Sequence, residues 1–113
     1  MKKGKGMKNS IITMAAAVAL GLAAQANAAV DAAKAQELAK SKNCFACHMV
    51  DKKLVGPAFK EVAKKYKGDG GAVGALSTKV IKGTSGVWGA IPMPPNPVSK
   101  DESKMLVEWI LSL

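Results

Sequence analysis

Cys44-Phe45-Ala46-Cys47-His48 contains both cysteines and the one histidine of the 113-residue chain. That concentration removes several readings at once. A zinc site closed by protein ordinarily needs four Cys or His ligands, more than one chain supplies here. One cysteine pair cannot staple a disulfide scaffold, and a Ser/His/Asp enzyme would have to use His48. The spacing C-x-x-C-H is instead the pattern of covalent haem attachment. Two thiols separated by two residues can each add to one vinyl group of the same porphyrin. The next residue, His48, is then carried beneath the ring, where its imidazole can bind the iron. Two other uses of the same residues remain open: a thioredoxin-like or simple disulfide pair, and copper or zinc handling. A thioredoxin-like pair normally follows a strand of a mixed sheet, and no strand pattern precedes Cys44.

Upstream of the motif, Met1 to Lys8 carries Lys2, Lys3, Lys5 and Lys8 and no acid, and Ile11 to Ala24 is apolar. Ala26-Asn27-Ala28 supplies a small-x-small site. This order describes a secretory signal peptide cleaved after Ala28, since the apolar run falls short of the roughly 20 residues of a membrane span; the plain alternative is an uncleaved membrane anchor. Residues 1–28 are therefore expected to be removed and residues 29–113 to form one domain in the periplasm, with no stable membrane insertion. All 17 basic residues are lysines, against 8 acids, for a formal charge of +9. Cleavage takes four of those lysines, and export separates the chain from the genome, so the charge is not a nucleic-acid footprint. A composition of 49% hydrophobic and 22% charged residues excludes disorder.

Downstream, the chain reads as helices joined by loops, an all-α fold. Asp31 caps a helix over Ala32 to Ser41 with Ala35, Leu38 and Ala39 inward. Gly56-Pro57 opens a second, with Pro57 suited to the first helical position and Phe59, Val62, Ala63 and Tyr66 on one face. Gly68, Gly70 and Gly71 end it. A third runs from Ala72 to Lys82 and stops at Gly83. Ser99 and Glu102 form a capping box for the last, whose Leu106, Trp109, Ile110 and Leu113 make an apolar stripe facing the first helix. So small a domain often needs a staple or an added apolar body to complete its core. Gly68 to Gly74 superficially suggests a phosphate loop, but its spacing fails the dinucleotide pattern and no strand precedes it.

Between the last two helices, Thr84 to Val98 contains Pro92, Pro94, Pro95 and Pro97 and cannot be helical. It offers the second axial ligand for a haem iron. Met49 adjoins His48 and stays on the same side of the ring, and Met105 sits in the last helix's apolar stripe as core filler. Met93, between two prolines in a stiffened loop, is the expected ligand; the alternative is a surface methionine held by a proline turn. A thioether favours ferrous iron and raises the potential. With both axial positions filled, the iron is limited to one-electron transfer, and an electron carrier rather than an enzyme is expected.

CFACH, VGPAF at Val55–Phe59, GVWG at Gly86–Gly89, IPMPPN at Ile91–Asn96 and VEWI at Val107–Ile110 together resemble the small bacterial class I cytochromes c, of the c-551/c-552 type, over essentially all of residues 29–113. The resemblance implies a compact bundle of four to five helices around one covalent haem c, with the first and last helices crossing. It implies attachment through Cys44 and Cys47 and axial ligation by His48 and Met93. It further implies that the Pro57 carbonyl accepts the His48 ring N–H, that Trp88 reaches a haem propionate, and that Asn96 steadies the Met93 loop. Simple packing for Trp88 and an ordinary turn role for Asn96 are the plain alternatives. The chain has no arginine, so Lys79 is the candidate to face the propionates.

The implied partners are a quinol-oxidising cytochrome complex as donor and a nitrite reductase or terminal oxidase as acceptor. Lys42, Lys52, Lys53, Lys60, Lys64, Lys65 and Lys67 either steer such acidic partners or form an ordinary solvated surface. A monomer is expected. The rival functions are a peroxidase or gas sensor with a labile sixth ligand, and a thiol-disulfide or metal-handling protein.

Overall fold

In the computed structural model, residues 30–113 are described; the signal peptide expected over residues 1–28 lies outside the described residues. Four α-helices and one 3-10 turn follow in chain order: α1 (Ala32–Ser41), the turn Cys44–Ala46, α2 (Phe59–Lys65), α3 (Ala72–Lys82) and α4 (Lys100–Leu111). The one β feature among the described residues is an isolated antiparallel bridge, Thr84 to Met93. Among those residues no helix is long and apolar enough to cross a membrane.

The helix ends are set by local chemistry. The Asp31 carboxylate accepts the Lys34 N–H at 3.0 Å, satisfying one orphan donor of α1. At α4 both halves of the capping box are made: Ser99 Oγ accepts from Glu102 N–H at 3.1 Å, and Glu102 Oε1 accepts from Ser99 N–H at 2.9 Å. Gly83 ends α3 at φ 83°, a backbone region open chiefly to glycine.

The second helix departs from expectation at its start. Pro57 does not enter it: Ala58 is extended (φ −62°, ψ 142°) and Phe59 is the first helical residue. The orphan N–H groups of Phe59 and Lys60 donate instead to the carbonyls of Met49 (2.9 Å) and Val50 (3.0 Å). Helix α2 is thereby fastened to the chain just after His48, and the Pro57 carbonyl stays outside the helix ladder.

Helix α4 packs against α1, α2 and α3. Ala35 and Ala39 on α1 are fully buried, and their small side chains let Leu106 and Trp109 of α4 close in beside Phe59. Met105 lies against this cluster, as core filler should. Leu113 falls outside the stripe and is exposed, because α4 stops at Leu111; Ser103 and Val107 take buried positions instead. At the α3–α4 seam, Ser103 Oγ donates to the Ser77 carbonyl at 2.7 Å.

Candidate haem site

A cavity of about 430 Å³ opens between the segment after the 3-10 turn, helix α3 and the Thr84–Pro94 loop. Cys47, His48, Pro57, Trp88 and Met93 all line it. Cys44, three residues before Cys47, packs against the core cluster instead. Asn96 is likewise not part of the wall; it holds the loop that carries Met93.

The motif is shaped by one tight turn. Asn43 is the one non-glycine residue at positive φ (63°) among the described residues, a conformation asparagine tolerates. The Cys44 carbonyl then accepts from Cys47 N–H at 3.2 Å and His48 N–H at 3.0 Å. Both thiols and the imidazole so leave a single backbone loop. The cysteines are not joined to each other. Burial pushes the Cys44 thiol above its ordinary value, with a backbone hydrogen bond pulling the other way.

The imidazole is held on three sides. His48 Nδ1–H donates to the Pro57 carbonyl at 2.8 Å. A carbonyl only accepts, so the ring proton sits on Nδ1 and Nε2 keeps its lone pair for a metal. Phe59 stacks on the ring at 4.9 Å between centroids and 21° between planes. Gly56 lies so close that a Cβ there would sit 2.6 Å from His48 Cε1. Behind the stack, Phe45, Phe59 and Trp109 meet edge-to-face at 5.5 to 6.5 Å.

Met93 is positioned by its backbone hydrogen bonds. Its N–H donates to the Thr84 carbonyl at 2.8 Å, and its carbonyl accepts from Thr84 N–H at 3.0 Å. Its carbonyl also crosses Gly83 so tightly that a Cβ there would lie 2.7 Å away. Because Thr84 N–H is engaged with Met93, the Val80 carbonyl at the end of α3 is left without its helical partner. Asn96 Nδ2 donates to it at 2.9 Å and to the Pro94 carbonyl at 3.1 Å. Asn96 N–H adds a bond to the Ile81 carbonyl at 3.3 Å.

The wall suits a flat apolar plate. Of the eight exposed large hydrophobic side chains among the described residues, five line this cavity: Leu54, Val55, Val87, Trp88 and Ile91, the last 67% exposed. Lys53 and Lys79 are the cations on its rim. The donor set also fits iron in a porphyrin: an imidazole nitrogen left free while Nδ1–H donates to the Pro57 carbonyl, and a thioether on the same cavity. Among the described residues no group of three or more His, Cys, Asp or Glu side chains is arranged to hold a bare metal ion.

Sequence reading passed over three positions that shape the site. Gly56 served only as a helix opener and Gly83 only as a stop, although each is needed for a close approach. Lys65 was one lysine among seven. Of the others, Lys60 pairs with Asp51 at 2.8 Å on the surface, and Lys42 Nζ donates to the Pro97 carbonyl at 2.9 Å.

The chain is similar to known proteins of one family. The family model for cytochrome c matches residues 32–113. Cytochrome c-551 of Azotobacter vinelandii is 56% identical over 77 residues, 68% of this chain and 94% of that one. Cytochrome c-551 of Stutzerimonas stutzeri is 52% identical over 109 residues, covering 95% of this chain and 99% of its own. The solved structure of wild-type Nitrosomonas europaea cytochrome c552 superposes with a TM-score of 0.67 at 52% identity, over 69% of this chain and 98% of that one. With a family model matching residues 32–113 and relatives about half identical over most of their length, the chain belongs to the cytochrome c family, among the small bacterial c-551/c-552 type.

Proposed function

We propose that the chain is a periplasmic one-electron carrier, exported by a signal peptide over residues 1–28 and holding one haem c. Cys44 and Cys47 would attach the group, and His48 and Met93 would hold its iron. When bound, the haem supplies reversible ferric–ferrous chemistry. The observation that carries this reading is the shared cavity of His48 and Met93, with Nε2 left free by the bond from Nδ1–H to Pro57.

Each residue has a part that needs no movement. Pro57 fixes the imidazole's tautomer and orientation. Phe59 and Gly56 hold its plane. The Thr84 bridge and Asn96 deliver the Met93 thioether already ordered, so little freedom is lost when it binds. With the haem bound, His48 and Met93 would both hold its iron, and two side chains fixed beforehand would leave small substrates no place there and need little rearrangement on electron transfer.

Val87 and Ile91 offer an apolar contact at the cavity edge, and Lys53 and Lys79 add positive charge. These features support brief docking of acidic partners: a quinol-oxidising cytochrome complex as donor, and a nitrite reductase or terminal oxidase as acceptor. Partner rates should therefore fall as salt rises.

The test is an absorption spectrum and redox titration of the exported, haem-loaded protein beside its Met93→Ala variant. The wild type should show the thioether–iron absorption and resist carbon monoxide. The variant should lose that absorption, drop in potential and bind carbon monoxide. Unaltered spectra in the variant would remove Met93 as ligand, and rapid carbon monoxide binding by the wild type would favour a sensor or peroxidase.

A further inference from the structure

The loop over the cavity is poorly tied along its span. From Ser85 to Pro92 the described residues show no backbone–backbone hydrogen bond; the Thr84–Met93 bridge closes only the base. The segment turns at Gly86 (φ 84°) and Gly89 (φ 128°), with Val87 and Trp88 raised between them. Gly86 and Gly89 meet nothing within 4 Å of a Cβ position, so neither packs the strap down. Trp88 is 40% exposed and lines the cavity.

The Lys65 side chain, from outside the strap, reaches it. Lys65 Nζ lies 5.6 Å from the centre of the Trp88 ring and 5.8 Å from that of Tyr66, the next residue along the chain. Both distances fall within the range at which an ammonium is attracted to an aromatic face. Tyr66 also lines the cavity. The ammonium thus joins two rings of the cavity wall that come from different elements, the end of α2 and the strap. The lysines beside it do other things: Lys60 pairs with Asp51, while Lys64 and Lys67 border a separate surface hollow next to Leu111 and Leu113.

We propose that Lys65 is a positioning residue: its ammonium, shared between the faces of Tyr66 and Trp88, fastens the Ser85–Pro92 strap down over the cavity mouth. Its charge acts within the chain rather than toward a partner. Losing it frees Trp88 and with it the strap, while the Thr84 bridge and Asn96 keep Met93 in place. The mouth then opens more often without any change in the axial ligands.

The test compares the wild type with Lys65→Met, Lys65→Arg and Lys67→Met in the exported, haem-loaded protein. Trp88 indole N–H exchange is followed by NMR, with the buried Trp109 indole as internal reference. The association rate of added imidazole with the ferric protein is measured beside it. Lys65→Met should speed both by about two- to five-fold, the range an exposed cation–π contact allows. Lys65→Arg should restore the wild-type values, since a guanidinium stacks on the same faces, and Lys67→Met should change neither. Wild-type indole exchange in Lys65→Met, or an equal acceleration in Lys67→Met, would overturn the assignment. The indole measurement does not depend on which residues bind the iron, so it separates failure of the strap contact from failure of the proposed ligation.

Discussion

The two sides of the cavity are held by different forces. On the His48 side, the imidazole stacks on Phe59, and Phe59 belongs to the buried cluster of Ala35, Ala39, Leu106 and Trp109. That side chain is an extension of the core. On the other side, Met93 belongs neither to that cluster nor to the residues packed against it. Its place is set by two hydrogen bonds to Thr84, by the Asn96 amide and by the absence of a Cβ at Gly83. Orientation by packing is cooperative with folding; orientation by a few loop contacts is local. Damage to the first side should appear as lost stability, and damage to the second as lost ligation in a chain that still folds.

The sharpest way to expose the difference is to remove the shared ring. Phe59→Ala should cost about 3–5 kcal/mol, since it leaves a cavity and takes away both the His48 stack and the edge-to-face contacts. Urea unfolding of the haem-loaded protein measures it. A loss under about 1 kcal/mol, well below the range for such truncations, would show that the His48 side is not built on the core.

Gly83→Ala attacks the other side. It places a side chain at φ 83° and a Cβ against the Met93 carbonyl, and such backbone strain costs about 1–3 kcal/mol. The atoms nearest the added Cβ are all backbone, of Met93, Pro94 and Pro95, so the loop rather than a rotamer must yield. Loss of the thioether–iron absorption is expected at low denaturant, well before global unfolding. Coincident loss of both signals would mean that the two sides unfold as one.

How much of this was readable from residue order follows the same division. Caps and stops were plain because their chemistry is local: Asp31 with Lys34, Ser99 with Glu102, Gly83 after α3. The haem motif was plain because its five residues act from one turn. The role of Pro57 was named from family resemblance, yet residue preference placed it inside α2. Proline suits both positions, and only the distant carbonyls of Met49 and Val50, which take the first N–H groups of the helix, decide that it starts at Phe59. Gly56 against His48, Gly83 against Met93, Lys65 across Trp88 and Ser103 to Ser77 were not legible. Each joins segments whose approach depends on the finished fold, and no spacing rule encodes it.

Asn96→Ala tests whether the Met93 loop is fastened through the end of α3. The change removes two amide hydrogen bonds and leaves the Val80 carbonyl without a protein partner, a cost of about 1–2 kcal/mol. The expected result is weaker thioether ligation, read as a lower temperature for loss of the thioether–iron absorption, with the unfolding midpoint shifted less. An unfolding midpoint that falls further than the ligation signal would make Asn96 a helix cap first and a loop anchor second.

The smallest effect concerns α3, which faces both regions: Leu76 and Val80 line the cavity, while Ser77 turns to the seam with α4. Ser77 Oγ is buried without a hydrogen-bond partner, and fully buried Ser103 donates to the Ser77 carbonyl. The two serines should respond oppositely. Ser103→Ala leaves that carbonyl short of one donor and should cost about 1 kcal/mol, whereas Ser77→Ala discards an unpaired hydroxyl and should leave stability unchanged or raise it by up to about 1 kcal/mol. Thermal unfolding of the haem-loaded protein gives both values. Because neither serine lines the cavity, the thioether–iron absorption should stay at its wild-type strength in each variant. If Ser103→Ala weakened that absorption, the seam would reach Met93 through α3, and the separation between packed and tethered ligands would fail at the one helix that borders both.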